Sequence, residues 1–172
     1  MIEETTRGQA ARELYEMATG QPLDERDAAS VEFMLKVATD GRWISQTLML
    51  GGARPVVLDV RVLAGLFLFD ERVVWSALDG RGVVEAFQRL RALVEGAETL
   101  RSRVQRVSAT NGAQRIEVEG GGSLRFVPRS SRSAGRGLVA DCVVAVGPVG
   151  GVGTLKPMLA GAPNPQLILD AP

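Results

Sequence analysis

Between residues 43 and 169 the chain alternates short apolar runs with longer amphipathic stretches, and this alternation limits the fold more than any other feature. The apolar runs predict strands over residues 43–50, 72–77, 114–118, 123–128, 138–146 and 166–169. The stretches between them predict helices over residues 55–69, 81–95, 97–107 and 155–160. Strands separated by helices are typical of a mainly parallel sheet with helices on its faces. We therefore predict an α/β fold, with one hairpin across the glycines at residues 120–122.

Residues 1–40 carry a different pattern, that of two helices joined by a short break. Apolar side chains recur at helical spacing over residues 3–18 and 27–39. Gly20-Gln21-Pro22 separates the two stretches, and either Asp24 or Asp27 can cap the start of the second helix. We predict an N-terminal helical hairpin at residues 1–40, followed by an α/β domain at residues 41–172.

Composition excludes several classes of catalytic site. The chain has 172 residues, of which 45% are apolar and 23% charged, and its formal net charge is zero. These values are ordinary for a globular protein and give no overall attraction to nucleic acid. The absence of histidine excludes Ser-His-Asp and Cys-His catalysis. The single cysteine, Cys142, lies in an apolar run and is interpreted as a core thiol.

The same features predict a cytoplasmic protein that does not contact a membrane. One cysteine cannot form an internal disulfide, which fits a reducing compartment. The N-terminus is polar and acidic, unlike a signal peptide. The longest apolar run, residues 62–69, is too short to span a bilayer.

Six segments of the α/β region share their order and spacing with a known family. They are RVLAGLFLF at residues 61–69, SA at 76–77, EAFQRL at 85–90, LRFVPRS at 124–130, GRGLVAD at 135–141 and PNPQL at 163–167. Over residues 41–170 the chain resembles the ATPase domain of the large terminase subunit, the DNA-packaging motor of tailed phages. The resemblance implies a reduced P-loop NTPase-like fold. Because the motors of this family work as rings, it also implies self-association.

The resemblance places the ATP site of the family on residues that lack its chemistry. The phosphate-loop lysine falls on Arg54 and the magnesium-binding hydroxyl on Pro55. The magnesium-coordinating aspartate falls on Val146 and the catalytic glutamate on Gly147. A phosphate loop needs backbone N–H groups, a lysine and a hydroxyl, and proline supplies neither an N–H nor a hydroxyl. Losing these groups together is expected to abolish hydrolysis.

The degenerate phosphate loop consists of Gly51, Gly52, Ala53 and Arg54. Its glycines allow close approach to a phosphate and Arg54 keeps a positive charge, so a plain turn and residual nucleotide binding both stay open. We expect no catalytic residue, no metal ligand and no cofactor, with ATP and magnesium as the alternative. The nuclease domain of the family has no counterpart in the sequence, so DNA cleavage is not expected.

Residues 125–136 hold four arginines among serine and glycine residues. These are Arg125, Arg129, Arg132 and Arg136. Flexible arginines on a loop suit the phosphates of nucleic acid or of a nucleotide. The alternative is a solvated connection between a hairpin and a strand. Asp141 follows this stretch, and we expect it to cap the strand or to pair with Arg136.

Three functional hypotheses follow from these patterns. The first is a catalytically dead terminase-like domain that acts as a binding or assembly protein related to phage DNA packaging. Its partners would be further copies of itself, a phage motor or portal protein, or DNA, in a bacterial cytoplasm or a phage-infected host. The second is a weak or altered nucleotide hydrolase. The third is a nucleic-acid-binding module that uses the arginine-rich loop.

Overall fold

The computed structural model describes residues 4–39 and 46–171. The helices are α1 (Glu4–Thr19), α2 (Glu25–Thr39), α3 (Pro55–Leu68), α4 (Gly80–Gly96) and α5 (Glu98–Arg101), with two 3-10 turns at Val152–Thr154 and Lys156–Leu159. The strands are β1 (Gln46–Gly51), β2 (Arg72–Ala77), β3 (Val104–Ser108), β4 (Arg115–Val118), β5 (Ser123–Pro128), β6 (Cys142–Val146) and β7 (Gln166–Ala171). The first strand was predicted from residue 43, and residues 43–45 lie outside the described part of the chain.

All seven strands form one sheet in the order β1-β7-β6-β2-β5-β4-β3. The five strands from β1 to β5 in this order are parallel, whereas β4 and β3 are added at one end as antiparallel neighbours. The α/β prediction is confirmed, and so is the predicted hairpin, which pairs β4 with β5 across the turn at residues 119–122. Because parallel strands run in one direction, the carboxyl ends of β1, β7, β6, β2 and β5 meet along one edge of the sheet.

The two faces of the sheet are covered differently. On one face, α3 and α4 pack against the strands through the larger apolar core, which also contains α1 and α2. The residues from Val57 to Phe67 of α3 are buried on all sides because this helix lies between the sheet and the N-terminal helical hairpin of α1 and α2. The other face is covered by the smaller apolar cluster, in which Val74, Val143 and Leu167 pack against the 3-10 turns.

The N-terminal hairpin is fixed to the sheet by apolar packing and by one buried polar network. Arg61 of α3 is 1% exposed and donates to Glu71 at 2.7 Å and to the Gln166 side-chain oxygen at 2.9 Å. The Gln166 amide donates to the backbone oxygen of Met34 in α2 at 3.2 Å. The predicted helical hairpin is present within the described residues. The domain boundary near residue 40 stays a prediction.

Three predicted elements differ from the structure. The helix predicted over residues 97–107 is wrong, because α5 ends at Arg101 and the chain then forms β3 at the edge of the sheet. The strand predicted from residue 138 begins only at Cys142, after a segment of turns. The helix predicted over residues 155–160 is a single 3-10 turn at Lys156–Leu159, which follows another 3-10 turn at Val152–Thr154.

Candidate functional site

The carboxyl edge of the parallel strands gathers most of the residues predicted to be functional. In open α/β sheets, ligands bind in the crevice outside these strand ends. The degenerate phosphate loop follows β1, Gly147 follows β6, and Arg129 follows β5. Asp170 lies near the end of β7, beside Val146 in the adjacent strand.

A carboxylate of the protein accepts a hydrogen bond from the backbone of the degenerate phosphate loop. The Ala53 N–H donates to Oδ1 of Asp170 at 2.7 Å, and the Gly52 N–H donates to the Ala171 carbonyl at 3.1 Å. Gly52 has a φ of +72°, a conformation that glycine adopts without strain. The loop leads into the N-terminus of α3, where the helix dipole favours a negative charge. The Asp170 carboxylate is therefore the anion that this loop holds.

Arg54 likewise forms ion pairs with acidic residues of the protein. It precedes α3 with an extended backbone, and its guanidinium pairs with Asp24 and, at 2.9 Å, with Asp27 of α2. The Asp27 backbone N–H and the Arg54 guanidinium hold the pKa of Asp24 below its usual value. These pairs direct Arg54 toward the hairpin. The sequence suggested either Asp24 or Asp27 as the cap of α2, and Asp24 does accept from the Asp27 N–H at 2.8 Å.

A cavity of about 550 Å³ lies between this loop and α2. Its wall includes Asp27 and Arg54, and its apolar lining includes Phe33, Met49 and Val57. Phe33 and Met49 are more than half exposed. The cavity is large enough for a small organic molecule.

The end of β6, where the resemblance places the metal-binding acid, is occupied by a buried guanidinium. Arg129 is 7% exposed, and its N–H groups donate to four backbone carbonyl oxygens. The acceptors belong to Ser76 at 2.9 Å, Val146 at 2.9 Å, Pro148 at 2.8 Å and Gly150 at 3.2 Å. Burial lowers the pKa of Arg129, yet a guanidinium remains charged at neutral pH.

The structure separates the four arginines of the predicted phosphate-binding stretch. Arg125 and Arg136 line one cavity of about 360 Å³, and they are joined there by Arg115, which the sequence interpretation missed. Arg129 differs from the expected flexible loop arginine because its donors are bonded inside the protein. Arg132 is exposed on the loop and is absent from the lining of the cavity.

Acidic residues elsewhere are paired with arginines. Of the two roles expected for Asp141, capping the strand or pairing with Arg136, the second is wrong, because Asp141 makes a bidentate pair with Arg72 at 2.8 and 2.9 Å. Asp59 of α3 makes a similar pair with Arg89 of α4. Among the described residues, no group of three or more histidine, cysteine, aspartate or glutamate side chains could hold a metal ion.

Cys142 is fully buried, and burial raises the pKa of its thiol to about 12. It is therefore a core thiol, as its apolar surroundings in the sequence predicted. None of the helices in the described part of the chain has the length and apolarity needed to cross a bilayer.

The fold is similar to that of a solved phage protein. The crystal structure of the HK97 bacteriophage large terminase matches this chain with a TM-score of 0.77 and 14% sequence identity. The match covers 99% of this chain and 38% of that chain. No protein-family model matches the sequence, and no curated protein matches it significantly. At 14% identity the likeness shows the fold alone: this chain has a terminase-like α/β fold and spans 38% of the length of that terminase.

Proposed function

We propose that the chain is a non-hydrolysing, terminase-like domain that acts as a binding or assembly protein related to phage DNA packaging. The observation that carries this proposal is that the degenerate phosphate loop is already bonded to carboxylates of the protein. Its Ala53 N–H is bonded to Asp170, and Arg54 is paired with Asp24 and Asp27. The groups that would hold a nucleotide phosphate are thus occupied by carboxylates of the same chain.

The residues at the carboxyl edge do not fit magnesium and ATP. Pro55 offers no hydroxyl to the metal, and Val146 and Gly147 offer no carboxylate. The buried Arg129 donates to the Val146 carbonyl at 2.9 Å, so a positive charge lies where a cation would have to enter. A second cation is repelled there, and the nearby Asp170 carboxylate is already bonded to the Ala53 N–H.

Two other functions have support from particular features. The cavity of about 550 Å³ beside the degenerate phosphate loop favours a weak or altered nucleotide-binding ATPase. The cavity lined by Arg115, Arg125 and Arg136 favours a nucleic-acid-binding module. Self-association, a phage motor or portal protein, and DNA are the partners that the assembly role would involve, in a bacterial cytoplasm or an infected host.

Phosphate release from magnesium-ATP tests whether the chain is an enzyme. We expect release by the purified chain to equal that of a protein-free blank, because Pro55 supplies no hydroxyl to a metal and the Asp170 carboxylate is already bonded to the Ala53 N–H. Arg54→Ala is the matched control and should give the same rate. Release well above the blank that Arg54→Ala abolishes would contradict the proposal and favour the hydrolase.

A further inference from the structure

We propose that Arg115, Arg125 and Arg136, with the hydroxyls of Ser131 and Ser133, form a phosphate-binding cleft on the sheet face opposite α3 and α4. These five residues line one cavity of about 360 Å³ and are called the basic cleft below. The cleft is distinct from the degenerate phosphate loop. Its strand β5 is four strand positions from β1, which is about 19 Å at the usual strand spacing. The proposal is therefore independent of whether the loop binds a nucleotide.

The floor of the basic cleft is a pair of like charges on neighbouring strands. Arg115 of β4 lies directly opposite Arg125 of β5 in the antiparallel register, so both side chains leave the sheet on the same face. Like charges placed opposite each other destabilise a sheet. Glu117 approaches Arg115 at 3.4 Å and offsets part of this repulsion. An anion bound between the two guanidiniums would remove the rest.

The positive charge of the basic cleft is only partly neutralised by acidic residues. No aspartate or glutamate is among its lining residues. Among the described residues, no acidic group lies within 4 Å of Arg125 or Arg136. The whole chain has a formal net charge of zero, so this excess is local. In contrast, Arg61 and Arg72, which also lie near the sheet, are paired with acids.

The wall of the basic cleft is a loop that the fold holds in place. Arg129 anchors its start through the four carbonyl oxygens described above. Gly135 has a φ of +72° and lies so close to Met158 that a Cβ atom there would be 1.6 Å from the methionine Cε. This approach fixes the loop against the second 3-10 turn immediately before Arg136. The backbone next to Arg136, which carries the third guanidinium, is therefore positioned by packing before any ligand binds.

A phosphate group is the ligand that matches these donors. Guanidiniums form bidentate, charge-assisted hydrogen bonds with phosphate oxygens, and serine hydroxyls add further donors. The only aromatic lining residue is Phe126, which is 3% exposed and belongs to the core. Bases therefore have no ring on which to stack, and recognition would rest on phosphate alone. Such a group could belong to a small phosphorylated molecule or to a nucleic acid backbone.

Two probes and three variants test the basic cleft. Inorganic pyrophosphate is titrated by calorimetry, and a fluorescent 20-base-pair DNA duplex is titrated by anisotropy, each at about 50 mM salt. The variants are Arg125→Gln, Arg136→Gln and, as the matched control, Arg101→Gln, an exposed arginine outside the cleft. We expect each cleft variant to weaken binding about tenfold, the loss of one charge-assisted contact. The control should bind as the unaltered chain does.

The outcomes show whether the site exists and, if it does, which class of molecule supplies the phosphate. Duplex binding that the cleft variants weaken, with a salt slope reduced by about 0.9 in Arg125→Gln, supports a nucleic acid backbone. Pyrophosphate binding alone, weakened by the same variants, supports a small phosphorylated ligand. Arg125→Gln should not lower the melting temperature, since it relieves the repulsion from Arg115. Absence of binding to both probes, or equal weakening in the control, would overturn the proposal.

Discussion

At the scale of single residues, the arginines of this chain differ in their role because they differ in their partners. Arg54 is paired with the acids of α2, Arg129 with backbone carbonyls, and Arg61 with a buried carboxylate and amide. Arg125 faces another arginine. The residue type supplies the same planar, charged group each time. The surrounding fold decides whether that group stabilises the protein or is available to a ligand.

Arg129 is expected to contribute strongly to stability. Arg129→Met removes the donor from four carbonyl oxygens, of which that of Ser76 is buried, and this should lower the free energy of unfolding by about 2 kcal/mol. Arg132→Met, on the exposed part of the same loop, should change it by less than about 0.5 kcal/mol. Urea denaturation measures both. Equal stability of the two variants would show that the carbonyl oxygens around Arg129 do not depend on it.

Only some of these residue roles could be predicted from the sequence. The core position of Cys142 follows from its apolar neighbours. The contact between Ala53 and Asp170 joins residues 117 positions apart, so it depends on the pairing of β1 with β7. The missed Arg115 depends in the same way on the register of β4 and β5. No local pattern in the sequence specifies either register.

At the scale of elements, local pattern and observed structure agree where one periodicity runs undisturbed through a segment. The parallel strands and α4 have such patterns and were predicted to within a few residues. The strand β3 does not. A register shift between Val104 and Arg106 breaks its alternation, so Val104 and Val107 both face the core and mimic helical spacing. Because of this bulge, the apolar pattern of the strand predicts a helix instead.

The pair of Arg72 and Asp141 joins the starts of β2 and β6, and it should make stability depend on pH. The hydrogen bond from Arg72 holds the pKa of Asp141 below its usual value. A carboxyl whose pKa is lowered by folding stabilises the protein above its unfolded value, about 3.9, and loses that contribution as pH falls through the folded value.

We therefore expect Asp141→Asn to cost about 1 kcal/mol at neutral pH, a value discounted for the partial exposure of Arg72. The difference from the unaltered chain should shrink toward zero as pH falls from about 5 to about 2. Glu85→Gln, which breaks the exposed pair with Arg81, is the control and should change little. Thermal unfolding across this pH range measures the effect. A difference that is constant with pH would contradict it.

At the scale of the whole molecule, the fold keeps a terminase-like sheet while the groups at its carboxyl edge are bonded to one another. The alternation of segments predicted the α/β class, but the strand order and the packing of the hairpin on α3 depend on contacts between distant residues. The same packing brings α2 and its acids to Arg54. The hairpin is therefore part of the reason that the degenerate phosphate loop is occupied.

Calorimetric titration with ATP, with and without magnesium, tests this account most directly. Because Asp24, Asp27 and Asp170 already occupy the loop, we expect no binding heat and a Kd weaker than about 1 mM in both conditions. Arg54→Ala should behave identically. Micromolar binding of ATP by the unaltered chain, lost in Arg54→Ala, would contradict the account, because it would show that the loop still holds a phosphate.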